Sequence, residues 1–408
     1  MKFLFFTIGL MSLFCLTPSF SLEEASSDFD IDSLFNEPLP DNPSEPDSEN
    51  DGRSPVADLV RQRGITFDAS FEFLAGISPG WNGEFTWGQR AKMRADLSLD
   101  ARISEVFRVK TSIYFGVPDF EFSLGDFFFD YNIFDVVFVR AGKYSHTWGI
   151  SPNFGFTDLL SRVPETGFNG DSFIFKVNIP DGIGGFEVLA QTRADLMGGE
   201  VPGWRSIGFG GKYNLALRWA DFDLGAFYED DMPFRGFFSV KFTLGKTELY
   251  NEWLGVNFDK PKDFSGAVNL GLARDFFDDR LGINAEAFYN AEKRTFRYRP
   301  ETNIREADIS PFVEGFNLAL NLIYRFRVKT SPRLFVQAFY APGEDSALLV
   351  PGIRLSPLSH TELYLAVPMA LGKRDGYYYS NTPDPDNRPF CIVLLLKLNG
   401  SVRSGYYY

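Results

Sequence analysis

The side chains of this chain that could do chemistry are charged rather than nucleophilic, and they come at alternate positions. Between Arg90 and Arg102 one parity holds Arg90, Lys92, Arg94, Asp96, Ser98, Asp100 and Arg102, while the other holds Ala91, Met93, Ala95, Leu97, Leu99 and Ala101. Arg108 and Lys110 continue the basic parity in the next run, and Asp68 and Glu72 place acids in the preceding one. Residues spaced by two share one face of a strand, so these charges are candidates to line a polar passage. Covalent chemistry has little to work with. The only histidines are His146 and His360, the only cysteines Cys15 and Cys391, and no spacing among them resembles a zinc site. Ser145 and His146 are adjacent, but neighbours on a strand point to opposite faces and do not make a nucleophile–base pair. No phosphate loop or nucleotide fingerprint is present. The expectation is a chain that is not an enzyme, needs no metal or cofactor and binds no nucleic acid.

The same alternation recurs along the chain and defines the elements that must hold these charges. In Ile65–Gly76 the apolar parity is Ile65, Phe67, Ala69, Phe71 and Phe73; similar runs lie at Ser206–Arg218, Gly282–Asn290, Phe316–Val328, Arg333–Ala341 and Thr361–Leu371. Helical spacing fits these runs less well. Together the runs predict strands at 65–76, 90–102, 106–116, 120–131, 135–142, 172–179, 185–193, 206–218, 222–229, 236–244, 247–258, 266–274, 282–290, 316–328, 333–341, 349–356, 361–371 and 389–398. That is eighteen, and single-chain bacterial barrels have an even number. The runs 120–131, 135–142 and 349–356 are weak, which leaves sixteen as the alternative.

Composition narrows the class. Aromatic residues make up 17% of the chain and 45 residues are Phe, yet after the first residues no long apolar stretch follows. A membrane helix needs about 20 consecutive apolar residues, whereas a barrel strand needs them only at alternate positions. In hydrocarbon a closed barrel satisfies every backbone donor and acceptor without leaving an edge. The fold class predicted is therefore all-β, a transmembrane antiparallel up-and-down barrel of 16–18 strands. The connections alternate as such a barrel requires: long ones at 77–89, 143–171, 194–205, 291–315 and 372–388 follow odd-numbered strands, and most even positions hold tight turns. Val117–Asp119 is short for its side and Asp275–Leu281 long for its own. Trp81, Trp87, Trp204, Trp219, Trp253 and Tyr377-Tyr378-Tyr379 are candidates for interfacial girdles.

Three segments are expected. Residues 1–21, with Lys2, the apolar run Phe3–Leu16 and small Ser19 and Ser21, have the form of a secretory signal peptide. Residues 22–62 form an acidic disordered periplasmic tail: 22–52 carry eleven acidic side chains and no basic one. That tail holds most of the overall charge of −14. Residues 63–408 form the barrel, exported through the periplasm to the cell outer membrane. The terminal run Phe390–Leu398 is strand-like and the chain closes on Tyr406-Tyr407-Tyr408, with Asn399–Gly405 between them not fitting a strand cleanly.

One segment carries a family resemblance. Gly142-Lys143-Tyr144-Ser145-His146-Thr147-Trp148-Gly149, followed by Phe156-Thr157-Asp158-Leu159-Leu160, resembles a pattern of porin-like outer-membrane proteins of Gram-negative and spirochaetal type. There a strand ends in Gly-Lys or Gly-Gln, a Trp-Gly pair follows, and then an Asn-Pro-x-Asp-Leu-Leu-like stretch; here Gly155-Phe156-Thr157 replaces the usual Asn-Pro-Thr. The resemblance implies that 143–171 folds inward as a constriction, with Trp148, Asn153 and Asp158 as candidate residues; an external loop packed on the rim is the other possibility.

Arg90, Lys92, Arg94, Arg102, Arg108 and Lys110 would make one lumen wall basic, with Asp68, Glu72, Glu229, Glu252 and Glu286 as acidic counterparts elsewhere. Opposed walls of opposite sign would form a selectivity filter; mutual pairing would merely satisfy a polar interior. The function expected is diffusion of small polar solutes through an outer-membrane channel. The alternatives are a surface adhesin or antigen whose loops bind a host ligand, and a transporter of a hydrophobic ligand. Partners expected are outer-membrane lipid, small polar solutes and the outer-membrane assembly machinery, with the oligomeric state open.

Overall fold

The computed structural model describes residues 64–407 except 83, 119, 145, 155–171, 193–202, 205–206, 231–233, 258–263, 292–297, 300–303, 306–313, 329, 374–375, 377 and 379–389. The signal peptide and acidic tail expected over 1–62 lie outside these residues.

Eighteen antiparallel staves close on themselves. In chain order they are β1 (Gly64–Asn82), β2 (Glu84–Arg102), β3 (Phe107–Val117), β4 (Glu121–Ile133), β5 (Val137–Tyr144), β6 (Ser172–Pro180), β7 (Gly184–Thr192), β8 (Ile207–Ala216) and β9 (Ala220–Tyr228). They continue as β10 (Phe234–Leu244), β11 (Thr247–Asn257), β12 (Phe264–Phe276), β13 (Leu281–Asn290), β14 (Gly315–Arg325), β15 (Arg333–Ala341) and β16 (Ser346–Leu358). Stave β17 comprises Thr361–Ala366 and Met369–Gly372, interrupted at Val367-Pro368 where proline has no N–H for the ladder. Stave β18 comprises Phe390–Cys391 and Val393–Tyr407. A two-residue ribbon, Tyr298–Arg299 with Ile304–Arg305, lies in the connection between β13 and β14. Each stave pairs with the next, and β18 pairs with β1 from Gly64↔Tyr407 to Ile77↔Leu394. The sixteen-strand alternative therefore falls: β4, β5 and β16 are separate staves.

Two sequence expectations are corrected. The expected long loop 77–89 is strand almost throughout, with β1 and β2 paired from Ile77↔Gln89 to Asn82↔Glu84. The stretch Asn399–Gly405 is also strand, because Thr66–Glu72 of β1 supplies its partner across the closure. The connections after even-numbered staves span at most seven residues, the longest being 326–332, and the one after β12 shortens to 277–280. Long connections at 145–171, 193–206, 291–314 and 373–389 all follow odd staves.

The outward parity is apolar and uncovered. Phe67, Phe71, Leu97, Phe175, Val188, Leu224, Trp253 and Leu270 are all exposed. Such a belt on a sealed cylinder is what hydrocarbon selects, since a basic residue there would cost about 2–4 kcal/mol at the bilayer midplane. Trp81, Trp87, Trp204 and Trp219 are exposed as well, whereas Tyr378 is not a girdle residue: it is buried inside, stacked on Phe339 at 6.0 Å.

Candidate functional site

The inward parity can be followed from stave to stave. Arg108 lies opposite Asp130, Asp130 opposite Arg140 and Arg140 opposite Lys176. Glu187 lies opposite Lys212, and Asn214 opposite Asp223; the row continues through Ser239, Glu252, Asn269, Phe288 and Asn317. All of these face the interior, yet the wall they form has two different halves.

The first half, β1–β5 with β18, is charged and wetted. Arg108 donates to Asp100 through Nε at 2.8 Å and Nη2 at 2.6 Å, and reaches Asp130 at 3.4 Å. Arg140 takes Asp130 from the other side in a two-point contact at 2.6 and 3.0 Å. Lys110 pairs with Asp126 at 3.0 Å and Arg94 with Asp96 at 2.8 Å. Aromatic faces steady these cations: Arg94 lies 4.0 Å over Tyr114 and Arg140 4.3 Å over Phe128. Across the closure, Glu72 pairs with Lys397 at 2.6 Å and Asp68 with Arg403 at 3.4 Å. These paired groups remain open to solvent: the Arg94 and Asp96 side chains keep 35% and 33% of their surface, and Arg108 and Asp100 keep 27% and 25%.

Among the nine sequence-chosen lining residues, Arg94, Asp96, Arg108 and Lys110 come together on this wall, and Asp68 and Glu72 adjoin it through β18. Arg102 faces Arg108 in register, and Lys92 is exposed. Arg90 has its backbone in β2, opposite Gly76; its side chain is outside the description. Each acid sits beside its base on the same wall, so the charge alternates over a few ångströms instead of being divided between opposite walls.

In the second half, β7–β16, the inward residues level with Ser239, Glu252 and Asn269 are buried beneath an inward segment, whereas Lys241 and Glu248, nearer the β10–β11 turn, keep 32% and 42% of their side-chain surface. Gly142, within β5, has a φ of +143° that suits glycine, and a methyl group there would strike the β4 backbone at Phe127 and Phe128; β5 ends at Tyr144. Residues 146–154 then run inside the barrel. His146 Nε2 and Trp148 Nε1 both meet Glu187 Oε1 at 2.7 Å. Ile150 N donates to Glu252 Oε1 at 2.7 Å. Glu286 accepts from Ser151 Oγ at 2.6 Å, Asn153 Nδ2 at 2.7 Å, Asn153 N at 3.1 Å, Tyr250 OH at 2.8 Å and Asn269 Nδ2 at 2.9 Å. Asn153 also donates to Asn284 at 2.6 Å and accepts from Asn321 at 2.5 Å. Between the polar anchors, the indole of Trp148 packs on Phe237 and Phe227, and Phe154 stacks on Phe288 at 5.0 Å. Gly210 makes room for the indole, since a methyl group there would lie 2.7 Å from Trp148 Cη2. The interior here is a packed apolar core, with Leu254, Val256, Phe339, Leu348 and Val350 all buried.

Trp148 and Asn153 thus lie in the lumen; Asp158 lies outside the described residues, as does Ser145. Glu252 and Glu286, read from the sequence as acidic counterparts of the basic wall, hold the inward segment, and Glu229 is buried beyond the end of β9. Sequence reasoning missed Glu187, Asn284 and Asn321. Their signal was present: inward amides and acids set singly among inward apolar residues imply that something packs on that wall.

Comparison with solved structures agrees with this architecture. Pseudomonas aeruginosa OpdO superposes with a TM-score of 0.55 at 10% identity, covering 83% of this chain and 97% of that one. Pseudomonas aeruginosa OccK11 (OpdR) gives 0.54 at 9% identity, covering 85% and 99%. Acinetobacter baumannii OccAB4 gives 0.51 at 8% identity, covering 85% and 100%. No protein-family model and no curated protein matches the sequence. At such identities the likeness is one of fold, and the fold is that of a porin-like closed β-barrel.

Proposed function

We propose that this chain is an outer-membrane channel through which small polar solutes diffuse. The observation that carries the reading is the ion-paired wall of β2–β5, which stays accessible to water inside a sealed barrel whose outside is apolar. A purely structural interior would have no reason to leave a quarter to a third of the surface of these charged side chains open to water. Because acids and bases alternate on that wall, the channel discriminates weakly by net charge and favours hydrated polar solutes over apolar ones. Covalent turnover has no support from the one histidine in the lumen segment, whose ring is held by Glu187.

Reconstitution of the refolded protein in planar bilayers tests the proposal. Discrete conductance steps in potassium chloride, with a reversal potential near zero in a salt gradient, are expected. Folded barrels that insert and pass neither ions nor small sugars would end it.

A further inference from the structure

The bases of β2–β5 have acids beside them, whereas those of β14–β16 stand beside one another. Arg325 lies opposite Arg333 and Arg333 opposite Arg354, all on the inward parity, and Arg327 follows in the connection after β14. No acid occurs in β14, β15 or β16. Acids reach the group only from other staves: Glu362 on β17 holds Arg354, and Asp275 on β12 lies 3.6 Å from Arg325. Like charges directly opposite one another destabilise a sheet, so guanidiniums in register ask for a counter-charge. We infer that the acidic run 22–52 of the same chain docks on these arginines, so that the mouth of the barrel where β1 begins carries a tethered polyanion. The docking does not need the barrel to conduct; in a conducting barrel the tail competes with anionic solutes for the same guanidiniums.

Charge, tether and length carry the inference. Residues 22–52 hold eleven acids and no base, and 53–63 add Arg53, Arg61 and Arg63 against Asp58, which offsets only part of that charge. The run joins the barrel at Gly64, which pairs with Arg102 beside the tight turn after β2 and with Tyr407 of β18. It therefore enters at the end that the short connections mark. Arg325 and Arg333 flank one of those connections, 326–332, at the same end. From β1 around the closure to β15 is four stave spacings, about 20 Å across the sheet. The eleven residues 53–63 span at most about 36–40 Å, so the acids reach the arginines with no change in the barrel. Tethered in this way, they meet them at an effective concentration on the order of millimolar. At that concentration individually weak, partly hydrated ion pairs suffice to hold a segment. The tether is what selects the chain's own tail over a loose anion.

Distances between paired spin labels on the refolded chain with its tail test the docking. One pair is Ser48→Cys, between Asp47 and Glu49, with Thr330→Cys, exposed in the connection before Arg333. The other is Ser48→Cys with Ser104→Cys, in the turn beside Arg102 and so close to the tether. Both are made in a Cys15→Ser background, and Cys391 is buried and stays unlabelled. A tail that is not held has an r.m.s. reach of about 22 Å over the sixteen residues from Ser48 to Gly64, and comes nearer to Ser104 than to Thr330. Docking is expected to reverse this order, with a narrow distance to Thr330→Cys that is roughly 10 Å the shorter of the two. About 1 M salt, where the Debye length is about 3 Å, is expected to abolish the difference. So is the pair Arg327→Gln and Arg333→Gln, verified as folded by heat-modifiable electrophoretic mobility. Broad distances at both sites, or a short one that salt leaves unmoved, overturn the docking. A short distance that vanishes on dilution with unlabelled protein also overturns it, since the arginines would then hold the tail of a second copy. None of these outcomes depends on ion flow, so a barrel that fails to conduct counts against the channel reading alone.

Discussion

The wall of β2–β5 and the wall of β7–β16 carry inward acids alike, but those acids do opposite work. On the first, Asp100, Asp126 and Asp130 each neutralise a base one stave away and remain in water. On the second, Glu187, Glu252 and Glu286 accept from a length of chain that has entered the lumen, which covers them from most of the solvent. The difference teaches that a charged residue on the inward parity of a barrel does not report a pore by itself. What surrounds it decides. Amid other charges an acid makes a hydrated ladder, and amid Leu254, Phe288 and Phe339 it makes an anchor.

The contrast can be broken most severely where the inward segment packs on the second wall. Trp148→Ala removes a fully buried indole together with its bond to Glu187; a loss of about 3–5 kcal/mol is expected, read as a lower temperature for the loss of folded electrophoretic mobility. A smaller effect follows from Gly210→Ala, whose methyl would press on Trp148 and Phe227. Overpacking of this kind costs about 1–3 kcal/mol, and combining it with Trp148→Ala should relieve most of the penalty; additive losses would mean that the indole does not sit there. The smallest stability change belongs to the wet wall. Arg108→Ala breaks pairs with Asp100 and Asp130 whose side chains are partly in water, so less than about 1 kcal/mol is expected. Its reversal potential should nonetheless move toward cation preference, because Asp100 loses its counter-charge while Asp130 keeps only Arg140. An unmoved potential would show that ions do not pass that wall.

Much of this architecture was legible in the alternation of polarity, because hydrocarbon outside a barrel leaves that pattern in every stave. The positions of all eighteen staves could be read this way, including the weak runs that became β4, β5 and β16. What was not legible depended on partners distant in sequence. The tip of the first hairpin, with Pro79, Gly80 and Gly88, reads as loop, but Gly80 and Trp81 pair with Cys391 and Phe390, and neighbours in sequence do not announce that partner. The same is true of Asn399–Gly405 at the closure. Of the site, the basic residues of β2 and β3 were foreseeable, and the inward course of the chain after β5 was one of two readings; the pairing of acids with bases was not foreseeable, since it depends on register across four staves. Nor could Glu286 be told from a lining acid without the segment that meets it.

The ladder of Arg94, Asp96, Asp100, Arg108, Asp130 and Arg140 has one more consequence. Plus and minus in alternation, a few ångströms apart, cancel when viewed from a distance comparable with their spacing. An ion travelling down the middle of such a passage therefore feels an almost flat potential. One that slides against the wall is handed from rung to rung, exchanging one counter-ion for the next. A passage lined this way sorts by touch.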